Sequence, residues 1–247
     1  MRANSTLVAL LGAAAWAAAV PATAATFDLT AGGTTTINGA IFTTSNNQST
    51  GTGVIQSFVR VQDNGVADGY NTSGRPMFYG DTNTSPTFTH DLALSDVPLV
   101  SIGGVSYREF LLDINQTSAN PLLSLDMLQF ATSGTGGATT AWGTFGTQVY
   151  TLGAANELLL NYDLNNGSGS GDLFVYVPNA VFGNASYVYL YSMFGNKGGN
   201  YAENDGFEEW AVRNPTVAAI PEPETYALMM AGLGVMGFVA RRRKKAV

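Results

Sequence analysis

Residues 99–115 read Leu99-Val-Ser-Ile-Gly-Gly-Val-Ser-Tyr-Arg-Glu-Phe-Leu-Leu-Asp-Ile-Asn115. Two uncharged arms flank Gly103-Gly104. Paired glycines reach the positive-φ conformations of a two-residue turn without a Cβ penalty, so residues 99–107 are expected to fold back as a β-hairpin. From Glu109 onward Phe110, Leu112 and Ile114 alternate with their neighbours and are expected to face inward. A period of two belongs to a half-buried strand, not to a helix.

The same texture extends outward from this stretch. Residues 54–61 alternate, with Ile55, Val59 and Val61 on one face, and residues 88–94 put Phe88, His90, Leu92 and Leu94 together. Further strands are expected at 126–130, 157–163, 173–177, 187–194 and 207–212. Their β-branched and aromatic residues fit a pleated surface, and no long amphipathic helix interrupts them. Many short strands with Gly-rich connections imply an all-β body, an antiparallel β-sandwich or jelly roll. Residues 43–53 and 131–140 are rich in Thr, Ser and Gly and are expected to be mobile connectors that bury nothing. Residues 167–171 read as a flexible hairpin connection.

Charge divides the chain of 247 residues into three parts. Its formal net charge is −7, yet residues 26–220 hold five basic side chains against sixteen acidic ones, a net of −11. Such a body repels phosphate backbones, which excludes nucleic acid as a partner. There is no cysteine, hence no disulfide and no thiol ligand or nucleophile. At the N-terminus, Met1-Arg2 precedes an apolar stretch from Leu7 to Val20 and then Pro21-Ala22-Thr23-Ala24. Basic start, apolar centre and small-residue exit are those of a signal peptide over 1–25, leaving a body at 26–219.

At the other end, Tyr226 to Ala240 carries no charge and is followed by Arg241, Arg242, Arg243, Lys244 and Lys245. Its apolar residues run all round a helix, which points to lipid and not to an amphipathic surface helix. Fifteen residues of helix rise about 22 Å against a hydrocarbon core of about 30 Å, so a single transmembrane helix needs snorkelling basic residues and a thinned bilayer. The basic cluster is a membrane stop held on the cytoplasmic side, with the body outside the inner membrane. Just before the run, Pro221, Glu222 and Pro223 are held extended by two fixed φ angles.

Pro221-Glu222-Pro223, an apolar span and a basic end, in that order over 220–247, resemble the PEP-CTERM sorting signal of Gram-negative bacteria. The resemblance implies recognition by an exosortase, cleavage near the Pro-Glu-Pro, and a transient inner-membrane anchor with the body in the periplasm. It also implies later residence at the cell surface or in a matrix of exopolysaccharide, biofilm or floc. The segments 111–115, 123–126, 167–178 and 206–210 resemble a recurrent body among PEP-CTERM proteins, which implies a shared β fold and no reaction.

The body itself offers little chemistry. His90 is the single imidazole, and no Gly-x-Ser-x-Gly elbow accompanies it. Glu109, Glu157, Glu203, Glu208 and Glu209 supply the carboxylates a glycosidase needs, but no spacing singles out a pair, and adjacent Glu208 and Glu209 face opposite ways on a strand. Soft metals lack ligands; calcium needs only oxygen, for which Asp113, Asn115 and Asp126 are the candidates. No other cofactor is expected. Tyr187, Tyr189 and Tyr191 share one strand face. They form either an outward stripe for stacking on sugars or a buried layer under further structure. Three roles follow: an exported structural or matrix protein, a carbohydrate-binding module of the exopolysaccharide layer, or, third, a secreted hydrolase. No catalytic residue is assigned.

Overall fold

A computed structural model describes residues 25–44, 55–165 and 171–213. The expected signal peptide, the Pro221–Glu222–Pro223 motif, the apolar run with its basic stop and most of the 43–53 connector lie outside the described residues. Among the described residues no helix is long and apolar enough to cross a membrane.

The elements are strands and short 3-10 turns. In chain order the strands are β1 (Thr26–Asp28), β2 (Thr34–Ile37), β3 (Ala40–Thr44), β4 (Ile55–Val61), β5 (Ala67–Tyr70), β6 (Leu92–Ala93), β7 (Leu99–Ile102), β8 (Val105–Asp113), β9 (Leu122–Ser133), β10 (Thr147–Thr151), β11 (Glu157–Asn161), β12 (Leu173–Pro178), β13 (Tyr187–Phe194) and β14 (Glu208–Arg213). One sheet runs β1-β11-β9-β13-β5, with β10 also on β9 and β6 on β13; the other runs β2-β3-β12-β8-β14-β4, with β7 on β8. All pairings are antiparallel except β1 with β11.

The two sheets close on one apolar core, so the body is a β-sandwich. Phe110 of β8 meets Phe130 of β9 at 4.6 Å between ring centroids. Trp210 of β14 is fully buried, and its indole N–H donates to Ser192 Oγ of the opposite sheet at 3.0 Å. Alternation holds along β8 and β12: Phe110, Leu112, Leu173, Val175 and Val177 all join the core. The Gly103-Gly104 turn forms with φ of +58° and +82° and pairs Ile102 with Val105, as the glycines require.

Three expectations are corrected. Residues 88–91 are not strand. The Phe88 and Thr89 N–H groups both bond the Ser85 carbonyl, winding a turn after Pro86, and only Leu92–Ala93 pairs. Local turn chemistry overrides the alternating pattern there. The strand at 126–130 extends over 122–133, since β9 has β10, β11 and β13 to pair with. The 131–140 stretch is not a free connector: Ala131 is buried in β9 and the following residues pack on the outer face of the first sheet.

Candidate functional site

Strand alternation sends Val188, Leu190, Ser192 and Phe194 of β13 inward, so Tyr187, Tyr189, Tyr191 and Met193 share the outer face. Each neighbouring strand adds to that face, Tyr70 from β5 and Met127 and Ala131 from β9. The face is roofed. Trp142 lies stacked on Tyr191 at 5.5 Å, and Phe145 stands edge-on to Tyr189 at 5.0 Å. Tyr70 touches Tyr79, Trp142, Phe145 and Tyr189 at centroid distances of 5.1 to 6.3 Å. The result is a second apolar cluster, separate from the sandwich core, closed by the 134–146 segment and by Tyr79.

The roof is fastened by polar bonds. Asp91 accepts from the Ser73 and Gly137 N–H groups at 3.1 and 2.9 Å and from the Tyr189 hydroxyl at 3.2 Å. Tyr70 Oη donates to the Thr140 carbonyl at 2.8 Å, and Thr72 Oγ1 to the Ala138 carbonyl at 2.7 Å. Trp142 Nε1 donates to Gln129 Oε1. Gly74 approaches so closely that a Cβ there would lie 2.5 Å from the Gly137 carbonyl oxygen. Burial pushes the Tyr70 phenol up to about 12. Burial raises Tyr189 and Tyr191 further, helped by the Asp91 carboxylate at one and by the Asp68 carboxylate, 2.5 Å from the Tyr191 hydroxyl, at the other. These hydroxyls are fixed donors, far from forming phenolates.

The candidate stacking residues are therefore not an open stripe. Tyr189 is 0% and Tyr191 6% exposed; only Tyr187 is half-buried at the rim. Sequence reasoning missed the residues that close the site: Asp91, Tyr70, Trp142 and Phe145. A tryptophan inside a Gly- and Thr-rich stretch was the available signal, since the whole chain has three.

A second polar group lies between strand ends. Glu208, fully buried, accepts from Gln116 Nε2 at 2.8 Å and from the Asn115 N–H at 3.1 Å. Asp172 Oδ2 accepts from the Ile114 N–H at 2.8 Å, while Oδ1 meets no donor. Glu203 Oε2 accepts from the Asp63 N–H at 2.7 Å, and its Oε1 likewise meets none. Burial pushes Asp172 up to about 9 and Glu203 to about 7, and holds Glu208 well above the carboxylate range. Protonated acids of this kind fill a dry interior without a charge.

The calcium candidates are not gathered. Asp113 and Asn115 stand at the end of β8, whereas Asp126 lies in the other sheet, accepting from Ser124 Oγ and the Asn196 N–H at 2.8 Å each. Among the described residues no three His, Asp or Glu side chains are arranged to hold a metal ion. His90 sets Nδ1 against the Asp91 carbonyl and Nε2 against the Ser57 carbonyl. Glu109 is paired with Arg213, Glu157 with Lys197 and Glu209 with Arg60. A shallow cleft of about 270 Å³ is lined by Asn38, Gln148, Val149, Tyr150 and Thr151, with no carboxylate among them.

Comparison with known proteins adds the tail. Residues 219–244 match the PEP-CTERM protein-sorting motif, so the chain carries that motif where the Pro-Glu-Pro, apolar and basic elements stand. The match is confined to the tail. No curated protein and no solved structure matches the chain.

Proposed function

We propose that this chain is a structural protein of the cell surface or the extracellular matrix, held in an exopolysaccharide, biofilm or floc layer. The observation that carries the reading is the sorting motif at 219–244, which begins within six residues of Arg213, the last described residue of the sandwich. The motif makes the chain an exported protein sorted through its C-terminal signal by an exosortase. On this reading residues 1–25 are removed as a signal peptide and residues 226–240 anchor the precursor transiently in the inner membrane. The body is then released by cleavage near Pro221-Glu222-Pro223. A body in which Glu109, Glu157 and Glu209 are ion-paired, Asp172, Glu203 and Glu208 are buried, and the aromatic face is closed supports a structural role without a reaction. Replacing Pro221, Glu222 and Pro223 by alanine in the native host is expected to leave a longer, membrane-retained form. An unchanged product in an unchanged fraction removes the reading.

A second reading, carbohydrate binding at Tyr187, Tyr189 and Tyr191, has the aromatic density of the outer face in its favour. Base and rim are apolar rings, as sugar stacking needs, and Phe78 beside Tyr79 is 54% exposed. It requires the 134–146 segment to lift. Quenching or enhancement of Trp142 fluorescence on titration with the host's own exopolysaccharide is the expected sign; a flat titration removes this reading.

A further inference from the structure

The hairpin of β7 and β8 projects from the body at the same end as the chain leaves it. β12 occupies one side of β8 from Tyr107 to Leu112, so β14, paired with Leu111 to Asp113, and β7, paired with Val105 to Arg108, share the other side. β7 thus continues the line in which β14 ends. The ends nearly meet: Arg213 is ion-paired with Glu109 at 3.1 Å, and Leu99 stands opposite Arg108. β14 runs toward the Gly103-Gly104 tip, and Arg213 is its last residue.

That tip is apolar and stands clear of the body. Residues 97–107 contain no charged side chain. Leu99 is 56%, Val105 48% and Ile102 37% exposed. Ile102 and Val105 oppose each other beside the turn, with Val100 and Tyr107 paired behind them. A Cβ built on Gly103 or Gly104 meets nothing within 4 Å. The Arg108 cation at the base is turned away, bonded to the Asn179 side chain and to the Leu94 and Val97 carbonyls. In a body so short of exposed apolar groups, this clustering at one hairpin calls for a partner.

We infer that the β7–β8 tip is a membrane-docking element, inserting Ile102 and Val105 into the outer leaflet of the bilayer that holds the tail. This rests on the anchored-precursor reading above. The chain length argues for lipid as the occupant. Thirteen residues from Arg213 to Tyr226, where the apolar run begins, span at most about 45 Å fully extended. The tip lies five residues beyond Arg108, about 17 Å along the strand. The linker therefore keeps the tip within reach of the surface that the tail enters. The contact is apolar, which suits an acidic body that anionic headgroups would repel. It sets the orientation of the precursor and holds the Pro-Glu-Pro segment at the height of a membrane-embedded processing enzyme.

The absence of cysteine makes the test direct. The full chain is reconstituted in vesicles of phosphatidylethanolamine and phosphatidylglycerol with one nitroxide label, at Ile102→Cys, at Ser118→Cys in the exposed turn beyond the far end of β8, or at Val235→Cys in the tail. Collisions with oxygen report lipid and collisions with a water-soluble nickel chelate report solvent. The inference expects the label at position 102 to meet the chelate several-fold less often than the one at 118, and oxygen more often. Equal accessibility at 102 and 118, with the 235 label in lipid, overturns the docking inference alone. A 235 label open to the chelate overturns the anchored reading and the inference together. Spin–spin broadening at 102 with full chelate access identifies a second copy of the chain as occupant, paired through the β7–β8 hairpin, and also overturns lipid docking.

Discussion

Asp172 enters β12 with one carboxyl oxygen on the Ile114 N–H and the other facing no donor. It and Glu208 repel each other, as do Glu208 and Glu203, and all three are raised by burial. The folded protein therefore keeps protons that the unfolded chain gives up near pH 4. Stability from this source is complete below that pH. It is lost as pH rises, through about 7 for Glu203 and about 9 for Asp172. Asp28 and Glu157 act oppositely, their pKa values lowered chiefly by hydrogen bonds from Thr30 and from Lys197, so strong acid removes their contribution. The unfolding free energy is expected to peak near mildly acidic pH and to fall by about 2–4 kcal/mol from pH 5 to pH 8. Asp172→Asn is expected to flatten that slope and to raise the urea midpoint at pH 8. A midpoint that stays level or climbs between pH 5 and pH 8 in the unsubstituted protein contradicts the account of the buried acids.

At the scale of elements, β13 shows what sequence could and could not reveal. Its span, 187–194, and its two faces follow from alternation alone, because the period of two is a local property. The sandwich class follows in the same way from β8, β12 and β14, and the hairpin from two adjacent glycines. Whether Tyr189 and Tyr191 face water depends on a segment more than forty residues earlier in the chain folding over them. Composition marks that segment as a loop and says nothing of where the loop lies. β1, β2, β3, β5 and β10 were invisible for a related reason: Thr, Gly and Asp at their positions pair only because a neighbouring strand is already there. Residues 88–91 err the other way, an alternating pattern defeated by a turn at Pro86. The roof has its own energetics. Trp142→Ala removes a ring stacked on Tyr191 and the donor to Gln129, and is expected to cost about 2–4 kcal/mol if the roof unfolds with the body. If the roof opens independently, the global midpoint stays within about 0.5 kcal/mol while amide exchange between 135 and 146 accelerates. Gly74→Ala is expected to act in the same direction through the Gly137 carbonyl. A variant unchanged in both midpoint and exchange contradicts a packed roof.

At the scale of the whole molecule, charge and hydropathy divide the labour that the fold cannot. Residues 26–220 carry a net charge of −11, a balance that disfavours anionic surfaces, while a basic cluster is confined to residues 241–245. Those features, with the sorting motif at 219–244, made export legible while the body stayed silent about a reaction: Glu109, Glu157 and Glu209 are ion-paired, Asp172, Glu203 and Glu208 are buried, and the imidazole faces two carbonyls. The sandwich is a compact unit whose last strand hands the chain to the motif across a short linker, so cutting there releases the body whole. The most direct measurement is the intact mass of the chain recovered from the outside of its native cells. The account predicts a C-terminus at or close to Pro221-Glu222-Pro223, with the apolar run and its basic end gone. A recovered chain that still carries residues through Val247 contradicts it.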